Sequence, residues 1–277
     1  MTIELMLRVR QEVCTQHPLI HCITNPISVN DCANAVLAVG AQPIMAEHPE
    51  EVAAITRRAS ALLVNLGCVT DSRLAAMQVS GRESLDFGIP CVIDLVGVGC
   101  SLLRLQFARK FIGAFHPAVI KGNLSELKAF AGTPTAAAGV DAAADDTLTP
   151  ENTERTLDQL SRLARRTGAV ILATGETDIV ANGDNALMLC NGTPMLSRVT
   201  GTGCVAGALT AVGLAAGDGM TAAALAVSML GISGELAAET ARGTGSFRVA
   251  LMDALNTLEN NTFTKRLHIE HRPFRCT

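Results

Sequence analysis

Ala118-Val119-Ile120-Lys121-Gly122-Asn123-Leu124-Ser125-Glu126 carries the chain from an apolar run through a polar turn into a helical pattern, and that transition decides the fold. Ala118–Lys121 is short and apolar, as suits a strand buried on both faces, and Leu124–Ala131 follows with helical spacing. The same alternation recurs on either side. Apolar strands are expected at Leu62–Leu66, Cys91–Val96 and Ala169–Ala173, and helical patterns at Asp71–Asp86 and Glu151–Arg166. Strands alternating with helices predict an α/β fold with a mainly parallel central sheet flanked by helices. Asp178–Val180 and Ala186–Cys190, joined by Ala-Asn-Gly-Asp-Asn, predict a hairpin, and from Cys204 to Leu258 the pattern is almost wholly helical.

The 277 residues are 48% hydrophobic and 17% charged, with a net charge of -4, so the chain can bury a large core and has no general attraction for polyanions. It has no Trp and no Tyr, hence no platform for base stacking, and nucleic acid is not expected as a partner. Nine cysteines without paired Cys-x-x-Cys spacing argue against a disulfide framework or a structural zinc site and fit a reducing cytoplasm. The first ten residues place charges inside their only apolar stretch, against an export signal. Val199–Gly217 is uncharged, but its Thr/Gly start and small residues fit a buried core helix better than a membrane span. No shift in composition marks a boundary, so a single domain over 1–277 is expected. The Ala-rich Thr133–Pro150 reads as a surface excursion, and the basic tail from about 261, rich in Lys265, Arg266, Arg272 and Arg275, as a solvated, flexible end.

Val199-Thr200-Gly201-Thr202-Gly203-Cys204-Val205-Ala206-Gly207 leads from a loop into the longest apolar stretch, with a helix expected over Val205–Ala216. Gly201 and Gly203 let several backbone N–H groups point at one spot, and a helix N-terminus adds unpaired donors and partial positive charge. The loop is a candidate cradle for a phosphate or an oxyanion, with Cys204 at its mouth. Open parallel sheets bind ligands beyond the carboxyl ends of their strands, so the residues ending each strand are read as one group. That group holds Asp94, Lys121 with Glu126, Thr174 through Asp178, and Thr202 through Cys204. Phosphoryl transfer needs these types: carboxylates for magnesium, directly or through water, and a lysine and a hydroxyl for nucleotide phosphates. Singly they have ordinary explanations, since Asp94, Asn123 and Ser125 can cap helices and Lys121 can lie at the surface. Independent caps, however, have no reason to gather at one sheet edge beside an anion cradle. His21 reads as packed rather than catalytic, His48 as opening a helix at Pro49, and no signature supports a cysteine hydrolase.

His21-Cys-Ile-Thr-Asn-Pro-Ile-Ser28, Ala41-Gln-Pro-Ile-Met-Ala46, Asn65-Leu-Gly67, Val92-Ile-Asp94, Lys121-Gly-Asn-Leu-Ser-Glu126, Thr174-Gly-Glu-Thr-Asp178 and Val199-Thr-Gly-Thr-Gly-Cys204 stand in an informative order. In them the chain resembles the hydroxyethylthiazole kinases of the ribokinase-like superfamily, from about Leu5 to about Leu258. The resemblance implies a three-layer sandwich, magnesium, and transfer of the ATP γ-phosphate to the hydroxyl of 4-methyl-5-(2-hydroxyethyl)thiazole, a step toward thiamine. It also implies a homotrimer with thiazole sites between subunits. Carried over by position, Met45 and Gly201 contact the thiazole, with Asn25 and Gly67 as further candidates on that side. Lys121 and Thr174, with Thr202 and Gly203 of the glycine loop, serve ATP; Asp94 and Glu126 serve the magnesium shell. Cys204 is the catalytic candidate, a weak base standing where many sugar kinases of the superfamily carry aspartate. Lys121 departs from the family, where Arg is frequent, and a point charge grips phosphate with less geometric control. A kinase for hydroxymethylpyrimidine or pyridoxal would share the phosphate machinery, but the Thr24-Asn25-Pro26 and Met45 neighbourhood favours thiazole. A non-catalytic ligand sensor would predict damaged carboxylates or a damaged glycine loop, and neither is present.

Overall fold

Leu62, Leu63 and Val64 point alternately to opposite sides of one strand, and all three are fully buried, so the strand has apolar cover on both faces. The computed structural model describes residues 3–132 and 148–273. Its strands are β1 (Leu19–Ile23), β2 (Gln42–Ile44), β3 (Ala61–Asn65), β4 (Cys91–Asp94), β5 (Val119–Asn123), β6 (Val170–Thr174), β7 (Asp178–Ala181), β8 (Asn185–Leu189) and β9 (Ile269–Pro273). Its helices are α1 (Ile3–Gln16), α2 (Val29–Ala38), α3 (Val52–Thr56), α4 (Asp71–Asp86), α5 (Leu102–Phe115), α6 (Leu124–Ala131), α7 (Thr153–Thr167), α8 (Thr202–Leu214), α9 (Gly219–Thr240), α10 (Thr244–Thr257) and α11 (Asn260–Arg266).

The strands form one sheet in the order β2-β1-β3-β4-β5-β6-β7-β8-β9, parallel from β2 to β6 and antiparallel from β6 to β9. Cys22, Leu63, Val92, Val119 and Leu172 join one core with α1, α2 and α8 to α11. Leu62, Val64, Ile93, Ile120 and Ile171 join a second core with α3 to α7. The result is the expected sandwich of helices, mainly parallel sheet and helices. From β1 the chain steps outward to β2 and then returns past β1 to β3. The direction of strand progression therefore reverses between β1 and β3, where their carboxyl ends leave a crevice.

Asp71–Asp86 and Leu124–Ala131 take the expected bounds because their caps do. The Thr70 side chain accepts from the Arg73 N–H, Asn123 and Glu126 form a capping box, and Gly132 ends α6 at a φ of +85°. The strand expected to Val96 stops at Asp94, since the chain then turns through Gly97 at a φ of +73°. The helix expected from Val205 starts at Thr202, so Cys204 lies inside its first turn. The small helix near His48 begins at Val52, with the His48 ring accepting from the Glu50 N–H at 3.3 Å.

The tail from about 261, expected to be flexible, needs correcting as far as Pro273. Phe263 of α11 is fully buried, and β9 pairs with β8 with His271 opposite Leu187. An edge strand pairs through its backbone and needs no apolar alternation, so a basic segment can serve. Residues 133–147 of the Ala-rich segment lie outside the described residues. Val199–Gly217 resolves into a loop and the 13-residue α8. Among the described residues one helix, α9, is long and apolar enough to cross a membrane, and 83% of its apolar window is buried within the protein, as in a core helix.

Candidate active site

Parallel register sets Asn65 beside Asp94 and Asp94 beside Lys121, forming a polar row across the carboxyl ends of β3, β4 and β5. The Lys121 ammonium donates to Asp94 Oδ1 at 2.9 Å, and Asn65 Nδ2 donates to Asp94 Oδ2 at 2.9 Å. Asn25, just beyond β1, reaches across the crevice. Its Nδ2 lies 3.3 Å from Asn65 Oδ1 and 3.2 Å from Cys204 Sγ, donating toward both. The Gly67 N–H donates to Asn65 Oδ1 at 2.9 Å, and a Cβ at Gly67 would stand 2.8 Å from Asn25 Nδ2. Glycine is therefore required there by the approach of two side chains. All these polar groups are buried, and each has a partner, as burial demands.

The start of α8 lies over this row. Gly201 holds a φ of +89° and touches Ser28, where a Cβ would come within 3.0 Å of Ser28 Cβ. A Cβ at Gly203 would be 3.8 Å from Lys121 Nζ, and one at Gly207 3.4 Å from Asp94 Oδ2. Lys121 thus lies under the glycine loop. No side chain among the described residues caps this helix, so its first N–H groups face the same space. The Thr202 hydroxyl donates to Leu196 O at 2.9 Å, which steadies the loop and engages the hydroxyl rather than the N–H.

Glu126 closes the row on the α6 side, accepting from the Gly97 N–H at 2.8 Å and the Asn123 N–H at 2.9 Å. Burial, reinforced by the charge of Asp94, pushes its carboxyl up to about 7, against the pull of Lys121 and those two N–H groups. Burial also raises the Asp94 carboxyl, with Lys121 and Asn65 opposing. The Lys121 ammonium is held above its usual range: burial pulls it down, but Asp94, Glu126 and Cys204 outweigh that. Both carboxylates are occupied by protein donors, and among the described residues no three His, Cys, Asp or Glu side chains gather as direct ligands. Such a donor set fits magnesium held through its bound water rather than caged by protein.

A family model described as the hydroxyethylthiazole kinase family matches residues 10–261. The chain belongs to this family. A hydroxyethylthiazole kinase 2 of Clostridium botulinum strain Kyoto is 47% identical over 263 residues, covering 95% of this chain and 99% of the relative. Among solved structures, a hydroxyethylthiazole kinase of Pyrococcus horikoshii OT3 superposes with a TM-score of 0.88 at 29% identity, covering 97% of this chain and 99% of that one. A ribokinase-like superfamily protein of Enterococcus faecalis, 13% identical with a TM-score of 0.63 and 95% of each chain covered, shares the fold.

In this hydroxyethylthiazole kinase family member the candidates from both ends of the chain converge. Asn25, Gly67, Asp94, Lys121, Gly203 and Cys204 are linked by the contacts above, and Gly201 adjoins them through Ser28. Thr174 stands one strand further on, opposite Asn123 in register, with its hydroxyl 3.5 Å from Gly122 O. Met45 follows β2, and its loop is tied to β1 by His21, whose buried ring bridges Thr56 Oγ1 at 2.9 Å and Ala46 O at 3.0 Å. His21 is thus packed, as expected. Asn65, quoted from the sequence only within a motif, is the member of this polar row that reading from the sequence left without a role. Its signal was available: a lone polar side chain closing an apolar strand, in the position Asp94 holds on the next one.

Proposed function

We propose that this kinase transfers the γ-phosphoryl group of ATP to the primary hydroxyl of 4-methyl-5-(2-hydroxyethyl)thiazole, yielding the thiazole phosphate for thiamine salvage. The observation that carries the reading is the hydrogen-bonded path from Cys204 through Asn25 and Asn65 to Asp94 and Lys121, which couples an acceptor side to a phosphate side. Lys121 and the N–H groups of Thr202 and Gly203 hold phosphate oxygens, with Thr174 at the nucleotide edge. Met45, Asn25, Gly67 and Gly201 surround the thiazole. Asp94 and Glu126 would hold magnesium through its bound water, and the ion would neutralise charge on the phosphates.

The acceptor oxygen bonds to the γ-phosphorus while the bond from that phosphorus to the bridging oxygen of ADP breaks. The alcohol proton passes to the Cys204 thiolate, making the thiol, and from there to water. A loose transition state asks for little proton transfer early, so orientation by Asn25 and a weak base suffice. Membership of the family supports reading the protein as a homotrimer with acceptor sites between subunits. Free thiols on the described cysteines support a cytoplasmic location.

An assay of ADP release with the thiazole alcohol, hydroxymethylpyrimidine and pyridoxal tests the function, and light scattering tests the trimer. Turnover favouring the thiazole is expected. Preference for another alcohol, or ADP release independent of any alcohol, overturns the reading.

A further inference from the structure

Arg73, in the first turn of α4, is 3% exposed, a rare situation for a guanidinium with no buried carboxylate beside it. It spends its donors on backbone. Nη1 donates to Gly67 O at 3.1 Å and to Cys68 O at 2.7 Å, and Nη2 donates to Thr24 O. Its Nε lies 3.1 Å from Glu47 Oε2, and Glu47 is half exposed. The contacts reach three loops, following β1, β2 and β3, the strands around the reversal in strand order. Each loop carries an acceptor-side residue: Asn25 follows Thr24, Met45 precedes Glu47 by two positions, and Gly67 is itself a contact. Cys68 holds a φ of +49°, a costly conformation for a residue with a side chain, and its carbonyl receives the shortest Nη1 bond.

We propose that Arg73 is a positioning residue that fixes the spacing of the acceptor pocket. A planar guanidinium with five donors in a rigid fork can join carbonyls of separate loops at once, which an ammonium on a flexible stem cannot. The Nε contact with half-exposed Glu47 is an ion pair without a hydrogen bond, so the three carbonyl bonds carry the effect. Lys121, Glu126 and Thr174, on the other half of the site, make no contact with Arg73. The inference rests on the reading of Met45, Asn25 and Gly67 as the acceptor side, and it predicts a change confined to the acceptor.

Steady-state kinetics of Arg73→Lys and Glu47→Gln, with each substrate varied separately, test it. For Arg73→Lys the acceptor KM rises roughly ten- to a hundredfold, the range a displacement near 1 Å produces, while the ATP KM stays put. Glu47→Gln leaves both near the parent values. A fall in kcat with both KM values unchanged, or equal rises in both, would mark Arg73 as a structural residue and overturn the proposal. Native-state hydrogen exchange on the unaltered enzyme provides a second arm, independent of any variant folding. Residues 24–28 and 66–69, joined by the carbonyl bonds, are expected to open as one unit, and independent opening of the two overturns the proposal. If the unaltered enzyme prefers a different alcohol, the reading of its substrate fails, and the same KM split is measured with that alcohol.

Discussion

Replacing Glu126 by Gln isolates the most strongly displaced carboxyl of the site. Burial and Asp94 raise it from an ordinary 4.5 to about 7, which at about 1.4 kcal/mol per pH unit amounts to about 3 kcal/mol. The folded protein binds this proton more tightly than the unfolded chain does. Its contribution therefore favours folding in full below about pH 4.5 and is lost progressively as pH rises through about 7. Relative to Glu126→Gln, the parent protein should thus lose about 3 kcal/mol between those limits and nothing further above them. Gln also sets an amide NH2 against the Asn123 N–H, a pH-independent offset of about 1 kcal/mol that leaves the slope untouched. With no Trp and no Tyr, urea unfolding is best followed by circular dichroism, at several pH values and without nucleotide or magnesium. Parallel stability curves for the two proteins would refute the account of Glu126 as a buried, proton-holding carboxyl.

The same proton bears on activity. With Glu126 in its proposed place in a metal shell, which requires the carboxylate, kcat/KM should climb with pH through about 7, and a flat profile there would contradict that role. Lys121→Met leaves the buried Asp94 with Asn65 as its remaining donor; breaking such a pair costs about 3–5 kcal/mol, less whatever Asp94 recovers by taking a proton. Burial raises the Asp94 carboxyl, so the loss should grow as pH rises, and a small loss that ignores pH would be contrary evidence. Gly67→Ala drives a methyl against Asn25 and Asn65, at a cost of about 1–3 kcal/mol, and should lower turnover by pushing Asn25 off Cys204; unaltered turnover would count against the polar path. Cys204→Ala should keep stability and lose roughly a hundredfold in turnover, as measured by ADP release. Unchanged turnover would remove Cys204 from the reaction, and complete loss would make it more than a weak base.

Fold and site were legible where a local signal coincided with a long-range one. The helices Asp71–Asp86 and Leu124–Ala131 announce both ends through caps, and the central strands are apolar because the sheet is covered on two sides. β2 gave no such signal: it is three residues long, contains Pro43 and sits at the sheet edge. β9 is Ile-Glu-His-Arg-Pro, and only backbone pairing with β8 makes it a strand. Asp94, Lys121 and Glu126 were readable because Asp94 ends a strand, Lys121 follows the apolar residues of another and Glu126 opens a helix. Arg73 was not, since an arginine early in a helix looks solvated until three loops from other strands close over it.

The reversal in strand order divides the labour of the sheet. In the function proposed above, loops after β1, β2 and β3, the strands flanking the reversal, meet the alcohol, while β4 to β6 and the glycine loop handle phosphate, with Asn25 and Asn65 as the seam between them. A lineage on this scaffold can therefore trade one alcohol for another by rewriting short connections at one flank, and inherit its chemistry unaltered from the other.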